Sequence, residues 1–397
     1  MRALGGLAVV VTLVFGLAAG QAFRAADGAL ARAAANTDQL VRIQAIQTHV
    51  VQADADATNA FLVGGLEPAG QRADYTAAVA AASQLIAEAA QNQPADGRAL
   101  GALNQALLDY ATEIEQARAN NRQGLPIGAQ YLKDASAHLR SDAVPLLKNL
   151  VTANTARVGT EFDNARRASL WLVVFGLLTL LVLVLCLVWL ARRTRRLVNV
   201  PVAGAALVVL VALVLGTVGL AGISRHVEAT RSGVYAATLS TAKARIAAFD
   251  AKSNESLTLV ARGSGSAFEK AWTSSDAAVR AELARLNANP SPSGQQTLPW
   301  AGYEAAHRKI RALDNAGDWD ASVALATGTG SGSGNASFAS FDTASERQLA
   351  TLSRQTASGL HEAGGWLPFA GALGVLAGLL AAVLSWWGVS LRLAEYR

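Results

Sequence analysis

Four long apolar runs separate two long polar stretches along this 397-residue chain. Each run holds about 20 residues or more without Asp, Glu, Lys or Arg, which is the length a helix needs to cross roughly 30 Å of hydrocarbon. Tryptophans bracket the second and the fourth run, as indoles do at membrane interfaces. The pattern predicts four transmembrane helices, at residues 1–22, 170–190, 201–224 and 366–391.

The first run fits two interpretations. A short basic start, an apolar core and small residues near Gly20 are also the pattern of a cleaved signal peptide. Gly16 and Gly20 have the small-xxx-small spacing that packs membrane helices against one another. We therefore expect the first run to be retained as a span, with the cleaved form as the alternative.

The polar stretches show helical periodicity. In the first stretch, Leu40, Ile43 and Val50 recur at three- and four-residue steps, opposite a polar face that includes Gln44 and Asp54. Pro and Gly breaks then predict helices at residues 23–64, 71–93 and 98–121, and one from residue 127 into the second span with a kink at Pro145.

The second stretch repeats this plan. It predicts helices at residues 227–261, 266–287, 298–315, 318–327 and 336–362, with a flexible Gly/Ser linker at residues 328–334. Thr58–Asn59 follows the first span and Ser253–Asn254 follows the third span at a similar distance along the chain. This correspondence indicates an internal duplication. The predicted fold is an all-α membrane protein with two extracytoplasmic four-helix-bundle domains, 23–169 and 225–365, continuous with the membrane helices.

Arginines determine the expected orientation. The short loop 191–200 contains Arg192, Arg193, Arg195 and Arg196, and positive charge in short loops marks the cytoplasmic side. Both termini, including the tail 392–397, are then cytoplasmic, and both polar stretches are exported. We expect a multi-pass protein of the cell membrane.

Composition narrows the function. The chain is 52% hydrophobic and 16% charged, with a mean hydropathy of +0.26, which is unusual for a soluble enzyme. Its net charge of +5 is spread along the chain, so we expect no nucleic-acid partner. The spans carry no ionisable residue at mid-depth, which argues against a transporter.

Sequence motifs for catalysis or metal binding are missing. Cys186 is the only cysteine, the five histidines stand apart, and no HExxH, P-loop, GxSxG or CxxC occurs at a convincing position. We expect no enzymatic activity, no catalytic residue, no metal and no cofactor.

One segment carries a resemblance. The stretch ADADATNAFLVGGLEP at residues 53–68, followed by Arg72 and Tyr75, is similar to actinobacterial membrane sensors of the glutamine-sensing operon. The order of span, bundle and span also resembles four-helix-bundle chemoreceptor sensor domains. The resemblance implies a non-enzymatic relay, in which an extracytoplasmic amino-acid-binding lipoprotein docks on the bundles and the membrane protein passes its state to a cytoplasmic Ser/Thr protein kinase.

Position along the helices suggests where the partners bind. We expect the outer partner at the bundle tip, and the expected residues are Gly64, Gly65, Leu66, Glu67, Arg72, Arg122, Gln123 and Arg262. The expected inner contact is the arginine loop, Arg192, Arg193, Arg195 and Arg196, shared with anionic lipid. The tip glycines and Pro68 also fit simple turn chemistry.

Two other functions stay open at this point. The bundles could sense a small ligand directly, as chemoreceptors do, or the protein could be a structural scaffold for envelope proteins. Helix faces rich in small residues are also compatible with a homodimer.

Overall fold

The computed structural model describes residues 2–63, 67–194, 199–288 and 297–394. Within those ranges the chain is helical and has no strand, so the predicted all-α class is confirmed. The helices of the first part are α1 (Arg2–Val63), α2 (Ala69–Asn92), α3 (Gly97–Arg122), α4 (Ile127–His138), α5 (Val144–Thr194) and α6 (Val200–Thr230). Those of the second part are α7 (Ala236–Val260), α8 (Ser266–Ala288), α9 (Trp300–Asn315), α10 (Trp319–Thr327), α11 (Gly334–Gly364) and α12 (Leu367–Ala394).

In the part of the chain that the structure describes, four helices are long and apolar enough to cross a membrane, in agreement with the four predicted spans. They lie within Ala3–Val63, Ile127–Arg192, Val200–Val260 and Leu367–Leu391. The protein is therefore a multi-pass membrane protein.

The chain divides into two compact units. The membrane unit comprises Met1–Asn36, Ala156–Thr230 and Ala357–Arg397. The helical unit comprises Thr37–Thr155, which we term the first half, and Arg231–Thr356, which we term the second half. Helices α1, α5 and α11 contribute residues to both units.

Glycines bring α1 and α12 into contact within the membrane unit. A Cβ added to Gly378 would lie 2.4 Å from Gly16 Cα, and one added to Gly374 would lie 2.9 Å from Ala19 Cβ. Only residues without a side chain allow such an approach of two backbones, which is the usual basis of helix association in lipid.

Two polar side chains add links between the membrane helices. Thr179 Oγ1 donates a hydrogen bond to Val11 O at 3.2 Å, joining α5 to α1. Asn199 Nδ2 donates to Gly388 O at 2.8 Å, joining the start of α6 to α12. Hydrogen bonds of this kind in a bilayer contribute about 1 kcal/mol each.

Each half of the helical unit has an apolar core. In the first half, Ile43, Ile46 and Val50 line one face of α1 and belong to one core cluster with Leu107 and Ile114 of α3. Each fully buried side chain of this size contributes roughly 1.5–3 kcal/mol.

Aromatic rings dominate the core of the second half. Trp300 of α9 lies 5.1 Å from Phe341 of α11 between ring centroids, and Phe338 lies 5.1 Å from Phe249 of α7. These edge-on contacts fix how α7, α9 and α11 pack together.

The two halves share core residues along α1 and α7. Leu257 of α7 is buried in the core of the first half, and Ala55 of α1 is buried in the core of the second half. Residues Thr37–Thr155 of the first predicted bundle and Arg231–Thr356 of the second therefore form one compact unit.

Two local features differ from the prediction. The Gly/Ser segment 328–333 is an ordered turn rather than a flexible linker, because Ser333 Oγ donates to Gly330 O at 2.6 Å and Asn335 Nδ2 donates to Thr327 O at 3.1 Å. The break predicted at Pro145 occurs just before it, as the π-helical segment Leu139–Ala143. A second π-helical segment, Arg231–Tyr235, precedes α7.

Candidate functional site

Charged side chains hold the start of α2 to the end of α3. Glu67 Oε1 accepts from Arg118 Nη2 at 2.9 Å, and Glu115 Oε1 accepts from Arg72 Nη2 at 3.0 Å and from Arg118 Nη1 at 2.8 Å. The Arg118 guanidinium also lies 4.1 Å from the centre of the Tyr75 ring. Glu67 and Arg72, both predicted for partner contact, therefore belong to one ion-pair network.

This network borders a small cavity of about 220 Å³ between α1, α2, α3 and α4. Arg122, another predicted residue, lines the cavity together with Glu67 and Arg72. Gln123 follows directly as the exposed C-cap of α3, before Gly124 with its positive φ of 70°. The structure thus brings four predicted residues of the first half to one end, which we term the loop end.

Arg262 lies at the corresponding end of the second half. It follows α7 with φ 40°, and its guanidinium lies 3.9 Å from the centre of the Trp319 ring. Leu62 of α1 and Leu259 of α7 share one apolar cluster, so the ends of these two helices are neighbours. Arg262 is therefore at the loop end as well.

Exposed apolar side chains also gather at the loop end. Val63, Leu125, Ile127 and Tyr131 are 41%, 44%, 49% and 37% exposed, and we term them the loop-end patch. Among the described residues of the helical unit, Leu108 is the one other large apolar side chain with comparable exposure. The sequence pattern did not mark these residues as exposed, because apolar residues beside a turn usually belong to the core.

The remaining predicted residues are only partly described. Gly64, Gly65, Leu66, Arg195 and Arg196 lie outside the described residues. The structure places Arg193 in α5 without describing its side chain. Arg192 is exposed near the C-terminus of α5.

A second polar site lies where the two halves meet, at a buried carboxylate on α1. Asp54 is 2% exposed, and its Oδ2 lies 3.0 Å from Arg140 Nη2 and accepts from Ser253 Oγ at 2.6 Å. Ser136 Oγ also donates to Asp54 Oδ1. Arg140 donates on to Asp250 Oδ1 at 3.0 Å, which completes a charged seam between the halves.

The π-helical segment positions the arginine of this seam. Arg140 is its second residue, on the face that α1 and α7 cover. Burial opposes the charge on Arg140, but Asp54 and Asp250 outweigh burial and raise the pKa of the guanidinium. π-helical turns are frequent at functional sites, and this one presents a cation to two carboxylates.

Two other titratable groups of α1 have shifted pKa values. Burial, together with Asp74 and Asp342, raises the pKa of Asp56 to about 8. Burial lowers the pKa of His49, about two turns earlier on α1.

A third cluster lies inside the second half. His307 Nδ1 lies 2.8 Å from Glu255 Oε2 and its Nε2 lies 3.3 Å from Glu269 Oε1, while its ring stacks on Trp272 at 3.5 Å. Lys252 Nζ donates to Glu255 Oε1 at 2.9 Å. The histidine that looks isolated in the sequence is thus a packed and hydrogen-bonded one.

The charges within this cluster stabilise the ionised forms of Glu255 and His307. Burial opposes ionisation of Glu255, but Lys252 and His307 outweigh burial and lower the pKa of Glu255 to about 2. Burial also opposes charge on His307, but Glu255 and Glu269 raise its pKa. Within the described ranges, no three His, Cys, Asp or Glu side chains are arranged as metal ligands.

Part of the chain is similar to a known protein family. Residues 29–163 match the family model of the actinobacterial sensor domain. No curated protein and no solved structure matches the chain. The matched residues include the loop-end patch, Asp54 and Arg140, and the match supports the predicted role of an actinobacterial membrane sensor.

Proposed function

We propose that the protein is a non-enzymatic signal relay of the cell membrane. In this proposal the loop end of the helical unit receives the state of an extracytoplasmic amino-acid-binding lipoprotein. The arginine loop and both termini of the chain are in the cytoplasm, where the loop passes that state to a Ser/Thr protein kinase. The sensor-domain match over residues 29–163 supports the sensing role.

The observation that carries the outer contact is the loop-end patch. Apolar side chains gathered at the surface of a folded domain mark interaction sites, and ion pairs commonly form the polar rim around them. Here Leu125 and Ile127 supply exposed apolar surface at the same end as Arg72, whose side chain is 45% exposed. A folded protein partner fits this surface better than a small molecule does, because the neighbouring cavity holds only about 220 Å³.

The continuous helices suggest how the state could be transmitted. α1 spans 62 residues and α5 spans 51, and both belong partly to the helical unit and partly to the membrane unit. A helix is stiff along its axis, so a shift at one end moves the other. The π-helical segment Leu139–Ala143 provides a position at which the register of the helix leading into α5 can change, as a two-state relay requires.

Site-specific photocrosslinking tests the outer contact. We would place a benzophenone amino acid at Ile127 in the full chain, irradiate intact cells and identify the crosslinked protein by mass spectrometry. Leu108 is the matched control, because it is 54% exposed but lies on α3 away from the loop end. We expect Ile127, and not Leu108, to capture a solute-binding lipoprotein.

Other outcomes would count against the proposal. Crosslinks from Ile127 to a second copy of the chain would make the patch a homodimer surface. Crosslinks to envelope structural proteins would favour the scaffold alternative. Capture of the lipoprotein from both positions would remove the loop end as its specific site.

A further inference from the structure

The halves of the helical unit enclose a cleft distinct from the loop end. It has a volume of about 590 Å³ and lies between α1, α5, α7 and α8. Its walls are largely aliphatic, and they include Val50, Val144, Val151 and Ile246. Small-molecule sites are typically apolar clefts of about 300–1,000 Å³ with a few polar groups, and this cleft has that character.

The charged seam closes one end of the cleft. Asp54, Arg140 and Asp250 line it there, and Arg140 pairs with both carboxylates. Asp250 Oδ2 accepts a further hydrogen bond from Ser275 Oγ at 2.7 Å. Because two carboxylates share this one guanidinium, the end has a net formal charge of −1 and offers no unpaired cation to an anionic ligand.

Two free cations stand at the other end. Lys148 lies eight residues beyond Arg140 along the chain, and Lys243 lies seven residues before Asp250, so both are roughly 10–12 Å from the seam. Both line the cleft and are exposed, and neither makes an ion pair with a described residue. With Asp54 and Asp250 set against Arg140, Lys148 and Lys243, the lining has a net formal charge of +1, and its unpaired positive charge lies at this end.

A buried amide on α1 lacks a partner in the same region. Gln44 lines the cleft and is 3% exposed, yet its Oε1 accepts no hydrogen bond from any described residue. A buried acceptor without a donor is unfavourable, and such groups are rare in folded proteins. A ligand that carries an N–H or O–H group would supply the missing donor.

We propose that this cleft binds a small organic carboxylate with an apolar body and a hydrogen-bond donor. Lys148 and Lys243 hold the carboxylate, the aliphatic walls contact the body, and the Gln44 amide accepts from the donor. Such a ligand bridges α1 and α5 of the first half to α7 of the second half. It would bias how the halves pack, and this inference does not depend on lipoprotein docking at the loop end.

Paired fluorinated probes test the proposal on the full chain in nanodiscs. The probe is 5-fluoroindole-2-carboxylate, which has an apolar body, an N–H donor and a negative charge. The neutral 5-fluoroindole-2-carboxamide is its matched partner. Dissociation constants come from fluorine NMR titrations, with empty nanodiscs as the baseline. We expect the carboxylate to bind at least tenfold more tightly than the carboxamide.

Variants locate the binding. Lys148→Gln with Lys243→Gln should abolish the preference for the carboxylate, whereas Lys309→Gln, an exposed lysine of α9 outside the cleft, should leave it intact. Ala278→Trp should block both probes, because Ala278 is exposed and lines the cleft. Equal binding of the two probes, no binding of either, or full carboxylate binding by the double lysine variant or by Ala278→Trp would overturn the proposal.

Discussion

Ser253 Oγ donates a hydrogen bond of 2.6 Å to Asp54 Oδ2, across 199 residues of chain. This bond joins α1, the first helix of the first half, to α7, the first helix of the second half. Both residues are buried, and Arg140 reaches the same carboxylate from the segment that leads into α5. The polar face of α1 is therefore an internal surface on which the two halves meet.

The first prediction concerns the stability of this seam. Asp54→Ala leaves Arg140 without one of its two carboxylates and leaves Ser136 and Ser253 without their acceptor. Removing one partner from a buried charged network costs about 3–5 kcal/mol. Urea unfolding of the full chain in nanodiscs, followed by tryptophan fluorescence, measures the change.

The control for this prediction is Asp109→Ala. Asp109 is exposed on α3, and such surface substitutions change stability by about 0.5 kcal/mol or less. Equal effects of the two substitutions would show that the seam contributes no more than a surface residue.

The second prediction uses the unusual acid at position 56. Because the pKa of Asp56 is about 8 when folded and 3.8 in its ordinary state, the folded protein holds the proton more tightly. The stabilisation from this proton is complete below pH 3.8 and is lost as the pH rises through about 8. Asp56→Asn should therefore raise the unfolding midpoint progressively from pH 4 to pH 8.5, whereas Asp109→Asn should not. An increase in the unfolding midpoint of Asp56→Asn over wild type that is the same at pH 4 and pH 8.5 would contradict the prediction.

The third prediction concerns His307. Its folded pKa is raised above 6.5, so its stabilisation is present below about pH 6.5 and is lost as the pH rises through the folded pKa. The difference in unfolding midpoint between wild type and His307→Gln should be largest near pH 6 and smaller at pH 9. The pKa of His49 is lowered, so the difference for His49→Gln should grow with pH instead. Parallel pH profiles for the two variants would be inconsistent with these environments.

The sequence predicts features of the fold that depend on contacts between residues close together in the chain, and it does not predict contacts between residues far apart. The spans and most helix limits follow from local patterns, and they agree with the structure. The pattern also marked Gln44 and Asp54 correctly as the polar face of α1. That face looked solvated because the group that covers Asp54 is Ser253 of α7, and no local pattern connects residues so far apart.

The loop end was predicted from chain geometry and only in part. Glu67, Arg72 and Arg122 were expected there because helices must turn between Val63 and Ala69 and again after Arg122. The exposure of Leu125 and Ile127 was not expected, because the exposure of an apolar residue near a turn depends on how the following helix packs. The ordered turn at residues 328–333 was missed because Ser333 is held by backbone carbonyls that composition does not reveal.

The fourth prediction tests the packing of the membrane unit. Gly378→Ala places a methyl group 2.4 Å from Gly16 Cα, so α1 and α12 must separate. Overpacking of this kind typically costs about 1–3 kcal/mol. The variant should unfold at a lower SDS fraction than wild type.

Gly222→Ala is the matched control in α6, because nothing lies within 4 Å of its added Cβ. Alanine is the better helix former by about 1 kcal/mol, so this variant should be no less stable than wild type. Loss of stability in the control, or none in Gly378→Ala, would rule out the close contact of α1 and α12.

The most direct test of the proposed relay is phosphorylation of the kinase substrate in living cells after addition of the sensed amino acid. Wild-type cells and cells carrying Leu108→Ser should respond. Cells that lack the chain, or carry Leu125→Ser with Ile127→Ser at normal membrane levels, should not respond. An unchanged response in cells without the chain would contradict a signalling role, and an unchanged response in the loop-end variant would contradict docking at that surface.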